Sequence, residues 1–125
     1  MKERRQHLRV QIQTGAVCEI KGTGMLLTTV QDISLGGACI ASEVMPLYGT
    51  EIELLIQIPG AQHVSRLPGT VRWATRGRFG VQFGLLGARE THLIASLIQR
   101  RVVQAGRLET LRPGVDAHTE VVRQD

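Results

Sequence analysis

Aromatic side chains are scarce in this chain: one Trp, one Tyr and two Phe, 3% of 125 residues. A core made from it must be aliphatic, and a nucleic-acid surface of stacked rings is disfavoured because such surfaces need several exposed aromatics. No apolar run approaches the roughly 20 residues that cross a bilayer as a helix, so membrane insertion is not expected. The charged N-terminus is followed by no apolar stretch, which argues against a secretory signal and for a cytoplasmic location. Cysteine is limited to Cys18 and Cys39, without CxxC or Cys/His metal spacing, and both read as small buried hydrophobes. His7, His63, His92 and His118 share no ligand spacing, so no metal site is expected. A nucleophile elbow, a P-loop, an HExxH run and a carboxylate pair are all missing. The chain is expected neither to be an enzyme nor to carry a cofactor.

What is present suits one small domain. Hydrophobic residues make up 42% of the sequence, and the formal charge is +4, unevenly spread. Residues 1–9 hold Lys2, Arg4, Arg5 and Arg9 against Glu3 alone. From Gly106 onward three arginines face Glu109, Asp116, Glu120 and Asp125, leaving that end slightly acidic. The basic surplus therefore lies in the N-terminal arm and the body, and it favours an anionic partner.

After the arm, Val10, Ile12, Thr14, Ala16, Cys18 and Ile20 recur at every second position, the period of a half-buried strand. Lys21-Gly22-Thr23-Gly24 is a turn, and residues 25–31 return. A short strand is expected at 38–41, a connection at 42–50 and a cleanly alternating strand at 51–58. Residues 63–73 form another strand, bent at Pro68-Gly69 because proline cannot donate to a central ladder, and residues 79–83 a sixth. Short strands with turns every 8–12 residues indicate a small antiparallel barrel or sandwich. The period then changes: Leu93, Ile94, Leu97, Ile98 and Val102 predict an amphipathic helix over about 88–105, suited to cover an open barrel end. The expected organisation is an arm at 1–9, a barrel with its helix at 10–105, and a mobile tail at 106–125.

Between the second and third strands lies Asp32-Ile33-Ser34-Leu35-Gly36-Gly37, a turn holding a carboxylate, a hydroxyl and two glycines. If the first two strands form a hairpin about Gly22-Thr23, Gly36 lies across from Arg9 and Ser34 across from Gln11. Opposed Cα atoms in such a pair are only about 4.5–5.5 Å apart. The turn should therefore sit beside Arg9, with Arg5 and Arg4 on the arm before it. This mixture of charges complements a guanine nucleotide. Guanidinium forks bind phosphate or the O6/N7 edge of guanine, Asp32 can accept from the opposite edge, and the Ser34 hydroxyl and glycine N–H groups can donate to phosphate.

Arg5-x-x-x-Arg9, followed by Asp32-x-Ser34-x-x-Gly37, resembles the paired RxxxR and [D/N]xSxxG motifs of the PilZ domain, a family of bacterial receptors for the second messenger cyclic di-GMP. Gly69-Thr70-Val71-Arg72-Trp73 and Gly80-Val81-Gln82-Phe83 resemble that family's GxVxW and GVxF strands. The resemblance implies a six-stranded antiparallel β-barrel with a C-terminal α-helix. It also implies that Arg5 and Arg9 hold phosphate and guanine, that Asp32 reads a guanine edge, and that Ser34 and Gly37 line the turn. Arg4, just before the arginine motif, implies an intercalated pair of ligands held by guanidinium–guanine stacking. Ligand binding would order the arm and change the barrel surface read by a downstream effector protein.

Other residues have plainer expectations. Alternation sets Trp73 in phase with Val71 and favours a core position over a stacking platform. Arg72, Arg76 and Arg78 read as a solvated strand and turn able to extend an anionic site. His7, inside the arginine motif, would tune binding near neutral pH. Two alternatives carry different functions: a PilZ-like adaptor working through protein contacts without ligand, and a basic OB-like barrel for single-stranded nucleic acid. The first should lack the two motifs, and the second should show aromatics on a barrel face. Binding of DNA or RNA is accordingly not expected.

Overall fold

The structure is a computed structural model that describes the backbone of residues 7–111 and the side chains of residues 7–106. Six strands are followed by one helix: β1 (Val10–Ile20), β2 (Gly24–Ile33), β3 (Gly37–Ala41), β4 (Glu51–Ile56), β5 (Ser65–Thr75), β6 (Arg78–Phe83) and α1 (Ala88–Leu111). The strands close into an antiparallel barrel in the order β1-β2-β3-β6-β5-β4. This is the fold implied by the family resemblance, and one of the two that the strand pattern allowed.

Alternation explains the closure. On β4, Ile52, Leu54 and Ile56 point inward, where they meet Val30, Ile40, Leu67, Val71 and Phe79 from four other strands. Each such side chain contributes about 1.5–3 kcal/mol when fully buried, so a largely aliphatic core needs few rings, here Phe79 and Phe83. Ile94 and Leu97 of α1 join the same cluster, with Leu93 and Ile98 packed at its margin. Arg100 Nη2 donates to Pro59 O at 2.9 Å, and Arg101 Nη1 donates to Gln11 O, so the middle of α1 is tied both to the β4–β5 connection and to the start of β1.

Three expectations need correction. The helix runs to Leu111, six residues beyond the expected end at 105, because a single Gly106 weakens a helix by about 1 kcal/mol without forcing it to stop. Residues 112–125, the rest of the expected tail, lie outside the described residues. The hairpin register is displaced by two residues, so Gln11 faces Asp32 rather than Ser34: the hairpin pairs Ile20 with Gly24, one residue from the expected register, and a bulge between Gln11 and Thr14 shifts the pairs beyond it by one more. Trp73 is not in the core. A second bulge, between Val71 and Trp73 on β5, shifts the alternation: Val71 pairs with Val81 inside, while Trp73 pairs with Gly80 outside and is 37% exposed.

Cys18 is fully buried, and burial pushes its thiol from the ordinary 9.0 up to about 11. It behaves as the apolar filler that its place in the alternation predicts.

Candidate functional site

The β2–β3 turn is held by one serine. Ser34 is buried, and its Oγ accepts from Gly36 N at 3.1 Å and Gly37 N at 3.2 Å. Its own N–H donates to Gly37 O at 2.8 Å, and its hydroxyl lies 3.4 Å from the same oxygen. The N–H groups expected to face a phosphate are thus engaged by the serine. Gly36 O in turn accepts from Phe83 N at 2.9 Å, fastening the turn to β6.

Each glycine here answers a different constraint. A Cβ on Gly37 would lie 2.2 Å from the carbonyl oxygen of Val81, so β3 and β6 approach more closely than any side chain allows. A Cβ on Gly36 would meet the His7 imidazole, with Cδ2 at 3.0 Å. The glycines therefore bring β6 against one side of the turn and the N-terminal segment against the other.

Arg9 Nη1 donates to Asp32 Oδ1 at 2.6 Å, and both side chains are mostly covered, at 16% and 22% exposure. The register explains the pairing: Gln11 faces Asp32 and Val10 faces Ile33, so Arg9 is carried alongside the turn. On the other side, Asp32 faces Cys39 of β3. Burial is the main cause holding the Cys39 thiol above its ordinary range; the Asp32 charge adds to it, while Arg78 and Arg9 oppose it. Cys39 accordingly remains a protonated thiol, 3.7 Å from Gln31 Oε1.

A cavity of about 560 Å³ opens between this turn and the outer face of the β5–β6 pair. His7 and Arg9 form one wall, Gly36 and Gly37 the floor, and Arg72, Trp73 and Gln82 the far wall. Arg72 Nε donates to Gln82 Oε1 at 2.9 Å, which fixes the guanidinium at the rim. The Trp73 indole lies over Gly80, so close that a Cβ there would fall 2.2 Å from Nε1. Two guanidiniums, an imidazole and an indole thus meet around one opening, with the Asp32 carboxylate behind it, bound to Arg9. Such a set suits a flat, anionic ligand with hydrogen-bonding edges. A larger cavity of about 730 Å³ lies by the β1–β2 hairpin, lined by Ile20, Ile52 and Pro68 among others, and contains no residue of either motif. Among the described residues no group of three or more His, Cys, Asp or Glu could hold a metal ion.

A sequence model of the PilZ domain matches residues 3–100. The chain belongs to the PilZ domain family. Solved structures that share the fold include these three. YcgR from Escherichia coli in complex with c-di-GMP superposes with a TM-score of 0.67 at 18% identity, over 88% of this chain and 51% of that one. The inhibitor of motility MotI/DgrA of Bacillus subtilis gives 0.65 at 20% identity, over 81% and 53%. The PilZ domain of CeSA from a cellulose-synthesizing bacterium gives 0.57 at 16% identity, over 71% of this chain and 92% of that one. This PilZ domain therefore spans about half the length of the YcgR and MotI chains. No curated protein matches the sequence. Among the described residues, no helix is long and apolar enough to cross a membrane.

Of the residues expected at the site, the fold of this PilZ domain brings Arg9, Asp32, Ser34 and Gly37 together. Arg4 and Arg5 lie outside the described residues. Sequence reasoning missed Gln82 and Gly80, preferred the core to a stacking platform for Trp73, and placed Arg72 only as an extension of the anionic site. The available signal was Gly80 itself, a glycine in mid-strand opposite a tryptophan, which marks a close approach on that face.

Proposed function

We propose that this PilZ domain is a receptor for cyclic di-GMP. The observation that carries the reading is Arg9, paired with Asp32, lining a cavity whose far wall offers Arg72 and Trp73. The ligand is a compact dianion with two guanine faces. Arg9 would exchange its bond to Asp32 for a phosphate or guanine edge, with Arg5 and Arg4 arriving on the arm. Asp32 would then accept from the N–H edge of guanine. Ser34 and Gly37 act by holding the turn in shape, and Trp73 or Arg72 supplies a stacking surface. Solved relatives of the same fold include YcgR and MrkH in complex with c-di-GMP, which supports the ligand class.

The domain has no catalytic role in this reading and needs no cofactor. It works in the cytoplasm, and its output is a downstream effector protein that reads the arm and the barrel face once the ligand has cross-linked them. The energy required is ordinary: a micromolar dissociation constant corresponds to about 8 kcal/mol, within reach of several charge-assisted hydrogen bonds plus stacking. Calorimetric titration with cyclic di-GMP, beside GTP and an Arg5→Ala, Arg9→Ala double variant, tests it. Saturable binding of the cyclic dinucleotide, absent with GTP and lost in the variant, is the expected result. Its stoichiometry decides between one ligand and the pair implied by Arg4. Absence of heat and of any ligand-induced shift in Tm would overturn the receptor reading in favour of a protein-contact adaptor.

A further inference from the structure

One backbone position in β1 runs against the preferences of L-residues. Gln13 has φ of 51°, in the left-handed region that non-glycine residues seldom adopt and that tends to be kept where a structure must switch. It lies within the bulge between Gln11 and Thr14. Before the bulge, Val10 and Gln11 form a separate piece of ladder against Ile33 and Asp32. β4 does not reach this piece, since it pairs with β1 only along residues 17–20. A hold from another direction comes from α1, where Arg101 Nη1 donates to the Gln11 carbonyl. Asp32 stands on the same short path: its side chain binds Arg9, and its backbone faces Gln11.

We propose that residues 9–11 are a hinged segment turning on Gln13, and that Arg101 transmits its position to the C-terminal part of α1, making that part of the helix the output of the site. The inference rests on the cyclic di-GMP reading for its ligand, whereas the hinge and the tie belong to the ligand-free chain. A ligand that draws Arg9 away from Asp32 removes one hold on the segment. Relaxation of Gln13 toward an ordinary φ then displaces Gln11, and with it the carbonyl that Arg101 grips. Arg100, bound to Pro59 O, keeps the preceding turn in place, so the change falls on the helix beyond it. The element has two arrangements, and both the ligand and the helix bias the balance between them. Coupling of this kind is reciprocal: weakening the helix tie must alter ligand affinity.

The test is hydrogen–deuterium exchange over residues 99–106 of the full chain in the wild type, Arg9→Ala, Arg101→Ala and the double variant, with and without cyclic di-GMP. Arg101→Met, which keeps the aliphatic stem, controls for lost packing. Without ligand, Arg9→Ala is expected to raise exchange there about twofold, the low end of coupling between linked residues, and to add nothing once Arg101 is replaced. Cyclic di-GMP is expected to raise exchange in the wild type only. By reciprocity, Arg101→Ala should bind the dinucleotide about fivefold more tightly, the lower end of allosteric couplings. Gln13→Gly, which adopts the left-handed conformation without strain, should diminish the ligand response. Additive effects of Arg9→Ala and Arg101→Ala, or a helix response that survives in Arg101→Ala, overturn the proposal. Ligand-free coupling without any binding of cyclic di-GMP would support the hinge and sink the receptor reading alone.

Discussion

Gly36 and Gly37 are adjacent, yet replacing them with alanine should have very different consequences. At Gly37 the new methyl would sit 2.2 Å from Val81 O, more than 1 Å short of the 3.4 Å at which ordinary contact begins. The obstacle is backbone in the β3–β6 ladder, where Gly37 pairs with Gln82 and Ala38 with Val81. It cannot rotate away, so β3 must lift from β6 or the turn must open. Overpacking of this kind costs about 1–3 kcal/mol, and more where a ladder has to yield. For a domain near this size each kcal/mol lowers Tm by about 4–8 °C, so Gly37→Ala should melt roughly 10–20 °C below the wild type. At Gly36 the obstacle is the edge of the exposed His7 ring, 3.0 Å away. A surface side chain can swing aside, and Gly36→Ala should stay within about 0.5 kcal/mol of the wild type, although His7 leaves its place in the cavity. Thermal melts of both variants by circular dichroism, with cyclic di-GMP titrations on each, read the difference. A Gly37→Ala variant melting within 3 °C of the wild type, about 0.5 kcal/mol, would refute the claim that strand approach dictates this glycine.

Trp73→Ala should weaken binding of cyclic di-GMP by about 1–3 kcal/mol, the usual worth of a base–aromatic stack. It should shift Tm much less than a core truncation, because the indole lies outside the barrel; since Trp73 is the sole tryptophan, ligand quenching of its emission offers an independent readout. Asp32→Ala removes the acceptor opposite Arg9, and loss of a charge-assisted bond should cost about 1.5–3 kcal/mol in stability, measured by urea unfolding. Cys18 bears on alkaline stability. Its thiol holds its proton up to about pH 11 when folded, against 9.0 ordinarily, so the unfolded chain ionises first. The stabilisation is complete below pH 9 and is lost as pH rises toward 11, by up to about 2–3 kcal/mol. Melts at pH 8 and pH 10.5 should show a larger drop for the wild type than for Cys18→Val.

The strands were legible because each alternates cleanly, and the meeting of Arg9 with Asp32 was legible because a hairpin forces the ends of its strands together. What escaped was every feature decided by one extra residue. The bulge at Gln11 and Thr14 moved Asp32 opposite Gln11, and the bulge at Val71 and Trp73 turned the tryptophan from the core to the site. A bulge is set by the partner strand as much as by its own residues, so period counting along one strand carries through it unaware. Ser34 was read correctly as a member of the turn, but the hydroxyl expected to face a ligand serves the glycine amides instead. That depends on which way one buried rotamer points, a matter of packing rather than of motif.

The ladder between β1 and β4 is short, running only from Val17 opposite Leu55 to Ile20 opposite Ile52. Among the described residues, the first half of β1 therefore has a strand neighbour on one side only, the kind of open flank that invites strand addition by another chain and leads to fibres or swapped dimers. Here the bulge bends that flank, Gln13 takes it out of extended geometry, and Arg101 occupies the Gln11 carbonyl. The same few atoms that place Arg9 beside Asp32 thus also make that flank a poor template for another strand. Straightening β1 by deleting Gln13 would then be expected to yield an insoluble protein sooner than an inactive one.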